Sequence, residues 1–216
     1  ETENAENVLR EANKLINDDF NKNLGKLDEF GNTVQKSKVA AIVTLDYDAP
    51  QWDNIHTPSH SVLSEEQAEK GGKHMSSLYD GIQAVHRKDP HLVATGHSYG
   101  STTMGNGLSG STAPDEAIGV GSPGLGTNSS SKLNMFPGHV YIGSAPGDIV
   151  AGSSWFGDDP SLNPFFKHFN LGRWRGPGNH IYEGSSGHSE YMSPNKTSTY
   201  NIASILVGKG MASPRS

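Results

Sequence analysis

Residues 91–100 read His91-Leu-Val-Ala-Thr-Gly96-His-Ser98-Tyr-Gly100, and this stretch decides the fold. Its first half is a short apolar run typical of a buried strand, and its second half fits the G-x-S-x-G pattern of a nucleophile elbow. In an elbow the strand turns into a helix so sharply that the serine stands at the tip, and the two glycines remove Cβ atoms that would clash there. Small residues dominate Ser101–Ser109, which favours a closely packed helix. We therefore predict Ser98 as a nucleophile; the alternative is a Gly/Ser turn without a chemical role.

The composition limits the class of protein. The length of 216 residues suits a single domain, 1–216. Lys and Arg number 17 against 23 Asp and Glu, and no basic run of the kind that binds phosphates is present, which argues against nucleic acid as a partner. Because the chain has no cysteine, a disulfide and a thiol nucleophile are excluded, and secreted and cytoplasmic locations both stay open. No stretch approaches the roughly 18 apolar residues of a membrane span, so we expect none.

Predicted strands and helices alternate along the chain. Apolar residues at helical spacing predict an opening helix over Val8–Phe20, and a capping-box signature at Ser64 predicts a second helix that ends at Asp89-Pro90. The apolar, β-branched run Val39–Leu45 predicts a strand covered on both faces. We therefore expect an α/β fold with a mostly parallel sheet of about five strands and helices on both faces, whose ligands lie at the carboxyl ends of the strands. The other predicted elements are strands at 91–95, Ala117–Gly121, His139–Gly143 and His180–Glu183 and a last helix at Thr199–Val207.

Residues 151–178 do not follow this alternation. A long loop inside a compact domain is usually functional or disordered, and six large aromatic side chains argue against disorder. We predict a lid-like or pocket-wall insertion, and a satellite cluster that packs on the domain edge stays an equal alternative. The aromatic residues are Trp155, Phe156, Phe165, Phe166, Phe169 and Trp174.

Asp148 is the predicted acid partner of Ser98. A serine hydroxyl needs a base to take its proton and a carboxylate to orient that base. In one known arrangement the order along the chain is serine, acid and histidine, with the acid and the histidine on loops after later strands. Asp148 follows the predicted strand at 139–143 and fits this order. Its rivals Asp158 and Asp159 lie next to Pro160, where an acid is more often a turn former.

His188 is the predicted base. It follows the last predicted strand on a loop, next to Gly187, and could swing toward the elbow from there. His180 is built into that strand, and His168 comes too early in the chain order. The order Ser98, Asp148, His188, each after a strand, carries this prediction, because a single histidine is more often a surface or core residue than a catalyst.

A cluster of acids and histidines between the first predicted strand and the second helix contains the residue types of a metal site. Its two histidines are four residues apart, but Pro58 between them makes a helix that carries both improbable. We therefore expect no metal and no other cofactor, and we interpret these residues as polar loop residues near the rim of the active site, with Trp52 available to contact substrate. The cluster consists of Asp46, Asp48, Asp53, His56 and His60.

These motifs together resemble the α/β-hydrolase fold superfamily, and more closely the mostly actinobacterial α/β-hydrolase family long catalogued as a domain of unknown function. The resemblance extends from about residue 39 to 207. It implies Ser98 as nucleophile, His188 as base and Asp148 as the acid that orients it, without a cofactor. The motifs that carry it are Tyr47–Pro50, Gly96–Ser101, Gly121–Gly124, Gly147–Val150 and Gly187–Tyr191.

The chain departs from the family pattern at its start. One oxyanion donor in α/β-hydrolases is the backbone N–H of the residue after the nucleophile, here Tyr99, and the second comes from a loop before the first helix. Here a helix opens the chain, so the strand and loop that give the second donor are not evident. Either the loop with Tyr47 and Asp48 substitutes for them, or an upstream segment completes the fold.

The sequence therefore favours a serine hydrolase that acts on a small-molecule or lipid-like acyl ester. The aromatic segment suits an acyl chain better than a charged group, and Trp155 and Phe156 join Trp52 as expected substrate contacts. Peptidase, thioesterase and acyltransferase activities use the same residues. The alternative from another class is a non-catalytic binding or assembly module whose oxyanion hole is incomplete.

Overall fold

The computed structural model describes residues 2–27, 36–44 and 58–212, of which 58–64 are described by their backbone alone. The helices and strands follow one another in an α/β order that agrees with the prediction. They are α1 (Thr2–Asn23), α2 (Pro58–Val85), β1 (Val93–His97), α3 (Tyr99–Ser109), β2 (Glu116–Val120), β3 (Val140–Gly143), β4 (Lys167–His168), β5 (Trp174–Arg175), β6 (Ile181–Tyr182) and α4 (Thr197–Leu206). None of the described helices is long and apolar enough to cross a membrane.

The main sheet is parallel, with the strand order β1-β2-β3-β4. Its register places Thr95 beside Ile118 and Gly119 beside Ile142. A separate antiparallel pair is formed by β5 and β6. The predicted fold class is confirmed, because a parallel sheet is combined with helices as expected for an α/β fold.

Helices cover both faces of the sheet. Side chains that alternate along a strand point to opposite faces. In β2, Ile118 and Val120 belong to the hydrophobic cluster that includes α1 and α4, whereas Ala117 belongs to the cluster that includes α2 and α3. In β3, Tyr141 joins the first cluster and Ile142 the second. The two-face burial explains why β2 and β3 are apolar at nearly every position.

The predicted strand Val39–Leu45 is wrong for its described part. Residues 39–44 form no strand, and Ile42 is 62% exposed; Leu45 lies outside the described residues. An apolar β-branched run becomes a strand only where a neighbouring strand pairs with it and its faces are buried. Residues 39–44 pair with no described strand and most of their side chains are exposed, so this run has no regular structure.

The start of α2 and the pairing of the strand at 180–183 also differ from the prediction. α2 begins at Pro58 and not at Ser64, which is compatible with proline because the first helical position needs no N–H. The predicted strand at 180–183 exists as β6, but it pairs with β5 outside the parallel sheet.

Residues 151–178 contain short regular elements. The segment includes a 3-10 helix at Pro160–Leu162 and the short strand β4, which pairs with β3 at the edge of the parallel sheet. Phe156, Phe166 and Phe169 are buried, whereas Phe165 is 79% exposed. Most of the segment's aromatic side chains are therefore part of the domain's packing.

Candidate active site

Ser98 stands at a strained turn between β1 and α3. Its φ of 56° and ψ of −137° lie in a region that costs a non-glycine residue about 1–3 kcal/mol. The turn is held by two neighbours: Ser98 N–H donates to the Val120 carbonyl at 3.0 Å, and the N–H and hydroxyl of Ser101 donate to the Ser98 carbonyl at 2.9 and 2.6 Å. A Cβ at position 96 would lie 2.5 Å from Ser101 Cα, so only glycine fits there. The geometry is that of the predicted elbow.

Asp148 and His188 form a hydrogen-bonded pair. Nδ1 of His188 lies 2.9 Å from Oδ1 and 3.0 Å from Oδ2 of Asp148. The Asp148 side chain is fully buried, whereas that of His188 is 19% exposed. With the imidazole N–H donating to the carboxylate, the ring presents Nε2 on its opposite side.

The environment of Asp148 favours its ionised form. Burial by itself raises the pKa of the carboxyl group, but hydrogen bonds outweigh burial and lower the pKa from 3.8 to about 2. The donors are the side chains of His188 and Tyr191 and the backbone N–H groups of Ala151 and Val150. Asp148 is therefore a carboxylate at neutral pH.

The pair lies at the same sheet edge as Ser98. Ser98 follows β1, Gly121 follows β2, and Asp148 lies in the loop after β3. A Cβ added to Gly121 would lie 2.9 Å from Asp148 Oδ2 and 3.1 Å from His188 Cε1. His97, which precedes Ser98, contacts the His188 carbonyl through Nε2 at 2.7 Å. Ser98 and Asp148 thus follow two strands of the parallel sheet at its carboxyl edge, and His188 reaches Asp148 there from the loop after β6, outside that sheet.

The chain is similar to a known protein family. A family model described as an alpha/beta hydrolase matches residues 13–157, about two thirds of the chain. The chain belongs to the α/β-hydrolase family. The resemblance predicted from the motifs is confirmed. Ser98 and Asp148 lie within the matched range of this α/β-hydrolase, and His188 lies beyond it.

The curated relatives of this α/β-hydrolase include proteins from mycobacteria. Uncharacterized proteins from Mycobacterium bovis and from two strains of Mycobacterium tuberculosis are each 28% identical to it over 145 residues. That alignment covers 65% of this chain and 52% of each relative, so the chain spans about half the length of the curated relatives it matches. No solved structure matches the chain.

An aromatic cluster of the α/β-hydrolase lies beside the elbow. Tyr99, the first residue of α3, meets Phe156 edge to face with ring centroids 5.3 Å apart. Ala68 of α2 and Trp155 complete this cluster. Two of the predicted substrate contacts, Trp155 and Phe156, are therefore close to the side chain that follows Ser98. The Tyr99 N–H belongs to the N-terminus of α3, where backbone N–H groups point out of a helix.

Several predicted site residues cannot be placed. Tyr47 and Trp52 lie outside the described residues, and so do Asp46, Asp48, Asp53 and His56; His60 is described by its backbone alone. The loop that was expected to offer a second oxyanion donor therefore stays a prediction.

The rival acids and histidines lie in other environments. Asp158 is exposed, and Asp159 caps the 3-10 helix by accepting from Ser161 N–H at 2.8 Å, the turn-forming role expected for it. His168 Nε2 contacts the Asn163 carbonyl at 2.9 Å. His180 Nε2 contacts the Asn195 side chain.

Two residues of the site were not predicted as such. His97 occupies the second position of the elbow pattern, and Tyr191 ends the Gly187–Tyr191 motif. Tyr191 donates its hydroxyl proton to Asp148 Oδ2 at 2.6 Å, and its ring packs on His97 with centroids 5.7 Å apart. The available signal was that both residues lie inside the motifs of the sequence. No spacing rule predicts that the His97 side chain contacts His188 or that the Tyr191 side chain contacts Asp148.

Proposed function

We propose that the chain is a serine hydrolase that cleaves acyl esters through Ser98, His188 and Asp148. The observation that carries the proposal is the buried Asp148–His188 hydrogen bond at the same sheet edge as the strained Ser98 turn. Family membership supports it. A positive φ at a serine is costly, and such strain persists at functional sites where the surroundings enforce it.

The proposed reaction begins with proton transfer from Ser98 Oγ to His188 Nε2. Oγ forms a bond to the acyl carbon, whose carbonyl electrons move to oxygen, and the Tyr99 N–H stabilises that oxyanion. When the carbonyl re-forms, the alkoxy group leaves with the proton from His188. Water then attacks the acyl-enzyme, with His188 as base again, and releases the acid and free Ser98.

Asp148 supports both half-reactions. Its carboxylate accepts from Nδ1 and thereby fixes the tautomer in which Nε2 takes up a proton. The charge also stabilises the imidazolium formed during attack. A pKa of about 2 keeps Asp148 ionised at neutral pH.

The proposed substrate is a small-molecule or lipid-like ester with an apolar acyl group. The support is the cluster of Tyr99, Trp155 and Phe156 beside the elbow, which offers apolar surface next to the proposed oxyanion donor. Segment 151–178 would then form a wall of the acyl pocket, and Trp52 and Tyr47 would complete the rim and the oxyanion hole. An additional segment of a longer chain is the alternative source of the second donor.

A fluorophosphonate probe tests the proposal directly, because it labels an activated serine covalently. We expect labelling of the wild type and none of Ser98→Ala. Ser109→Ala is the matched control, since Ser109 lies on the exposed side of α3 and donates to Gly105 within the helix. A longer form of the chain, with the length of the mycobacterial relatives, is treated with the same probe. Failure of every form to show Ser98-dependent labelling would leave the non-catalytic alternative standing.

A further inference from the structure

Tyr191 is one of the most buried large side chains, and its hydroxyl makes two hydrogen bonds. It is 1% exposed. The hydroxyl donates to Asp148 Oδ2 at 2.6 Å and accepts from the Ala145 N–H at 2.8 Å. Burial and the adjacent carboxylate raise the pKa of the phenol, so its hydroxyl is protonated and can donate at neutral pH.

The two carboxylate oxygens of Asp148 are held in different ways. Oδ1 accepts from the backbone N–H groups of Val150 at 2.9 Å and Ala151 at 3.2 Å. Both donors belong to the same loop as Asp148 and move with it. Oδ2 accepts from Tyr191, which comes from a different part of the chain. Both oxygens also lie within 3.0 Å of His188 Nδ1.

This arrangement connects the end of β3 to the proposed acid. Residues 144–150 form no helix or strand. The orientation of the Asp148 carboxyl plane therefore depends on the hydrogen bonds that its two oxygens accept. The Ala145 N–H fixes the Tyr191 oxygen, and that oxygen fixes Oδ2. If the phenol oxygen is lost, Oδ2 loses a donor and the Ala145 N–H loses its acceptor, while the local bonds to Oδ1 remain.

We infer that Tyr191 is a positioning residue that orients Asp148 for its hydrogen bond to His188. The inference rests on the proposed function, because it concerns the same acid and base. Tyr191 does not touch the reacting atoms, and it acts through Asp148. A purely structural role in the core would affect stability but not the geometry of the Asp148–His188 pair.

Tyr191→Phe tests the inference with a closely matched control. Tyr182 is also nearly fully buried, at 2% exposed, and its hydroxyl also donates to a carboxylate, Glu11 Oε1, at 2.7 Å. That pair links β6 to α1. Tyr182→Phe therefore removes the same kind of bond without a contact to the proposed site.

The first readout is steady-state kinetics on a p-nitrophenyl ester. We expect Tyr191→Phe to lower kcat about tenfold to a hundredfold, the range that a lost hydrogen bond to a charged group or a small misplacement of a catalytic group produces, with little change in KM. Tyr182→Phe should keep the kcat of the wild type. Equal kcat in Tyr191→Phe and wild type would overturn the inference.

The second readout does not depend on activity. The Nδ1–H proton of His188 should give a downfield ¹H NMR signal, identified by its loss in His188→Ala. We expect this signal to weaken or move in Tyr191→Phe and to stay in place in Tyr182→Phe. If no ester is turned over by any form, the proposed function fails, but the signal still decides whether Tyr191 orients the pair. An unchanged signal in a folded Tyr191→Phe overturns the inference.

A second variant covers the case in which Tyr191→Phe does not fold. Replacement of Tyr191 by 3-fluorotyrosine keeps the hydroxyl and the packing but makes the phenol a stronger donor. The His188 signal should then shift while the protein stays active. A signal that does not respond to the stronger donor contradicts a connection from Tyr191 through Asp148.

Discussion

The imidazole of His97 packs against that of His188, with ring centroids 4.7 Å apart, and its Nε2 lies 2.7 Å from the His188 carbonyl oxygen. Because a carbonyl only accepts, the Nε2 of His97 carries the proton in this contact. The two residues are 91 positions apart in the chain. A side-chain hydrogen bond thus ties the elbow strand to the loop that presents the proposed base.

The first prediction concerns this contact. His97→Phe keeps an aromatic ring but removes the donor, so the His188 loop loses its bond to the elbow. We expect kcat to fall about tenfold, as for a modest misplacement of a catalytic group. His91→Phe is the control, since His91 makes a similar contact with the Ile205 carbonyl at the opposite end of β1. If both variants lose activity equally, the effect is general destabilisation and the prediction is wrong.

The second prediction separates the candidate acids. In Asp148→Asn, the amide can donate to Nδ1, which favours the wrong tautomer of His188. We expect kcat to fall by roughly 10⁴, as for the equivalent change in the triad of a serine protease. Asp159→Asn removes a charge but keeps an Oδ1 that can accept from the Ser161 N–H, so the cap of the 3-10 helix at 160–162 stays and activity should be nearly full. The reverse ranking of the two variants in ester hydrolysis would assign the acid to Asp159.

The third prediction follows from the lowered pKa of Asp148. A carboxyl group whose pKa falls from 3.8 to about 2 on folding contributes stability above pH 4, and this contribution is lost as the pH falls through 2. The shift corresponds to roughly 2 kcal/mol. Urea unfolding of the wild type and of Asp148→Asn at several pH values measures it. The difference between their unfolding free energies should change by about this amount between pH 5 and pH 2, and a constant difference would contradict the low pKa.

The fourth prediction concerns the acyl pocket. If Phe156 and Tyr99 form its wall, Phe156→Ala should change the relative kcat/KM for p-nitrophenyl esters of short and long acyl chains by about tenfold to two-hundredfold, which corresponds to the roughly one to three kcal/mol that pocket contacts provide. Phe165→Ala is the control, because Phe165 lies in the same segment but is exposed. Turnover that is independent of chain length in the wild type would remove segment 151–178 as an acyl wall.

Local sequence was sufficient for the central part of the fold. The run at 117–121 became a strand because Ala117 and Ile118 are buried on opposite faces, which is what a continuous apolar pattern encodes. Ser98 could be assigned to a turn because the glycine pattern and the apolar run are adjacent. Ser98, Asp148 and His188 were predicted from the known order of serine, acid and histidine along the chain. The rule that parallel strands end at one edge applies to Ser98 and Asp148 but not to His188, because β6 lies outside the parallel sheet.

The other features of the fold and of the site depended on contacts between residues that are distant in the sequence. The run at 39–44 has strand propensity, but pairing and burial decide whether a strand forms, and neither can be seen in the sequence. β4 is two residues long and has no period to detect. Tyr191 could be seen in its motif, but its bond to Asp148 joins residues 43 positions apart and depends on how two loops meet.

The last prediction concerns Gly121, which lies against the Asp148–His188 pair. Gly121 has a φ of 58°, and a Cβ there would lie 2.9 Å from both Asp148 Oδ2 and Tyr191 Cε2. Gly121→Ala should therefore combine a backbone strain of about 1–3 kcal/mol with displacement of the pair, and kcat/KM should fall about a hundredfold. Gly178→Ala carries a similar strain, since Gly178 has a φ of 64°, but nothing lies within 4 Å of its added Cβ. Thermal melting and kinetics of both variants separate the two effects: both should melt lower than the wild type, and only Gly121→Ala should lose activity while folded.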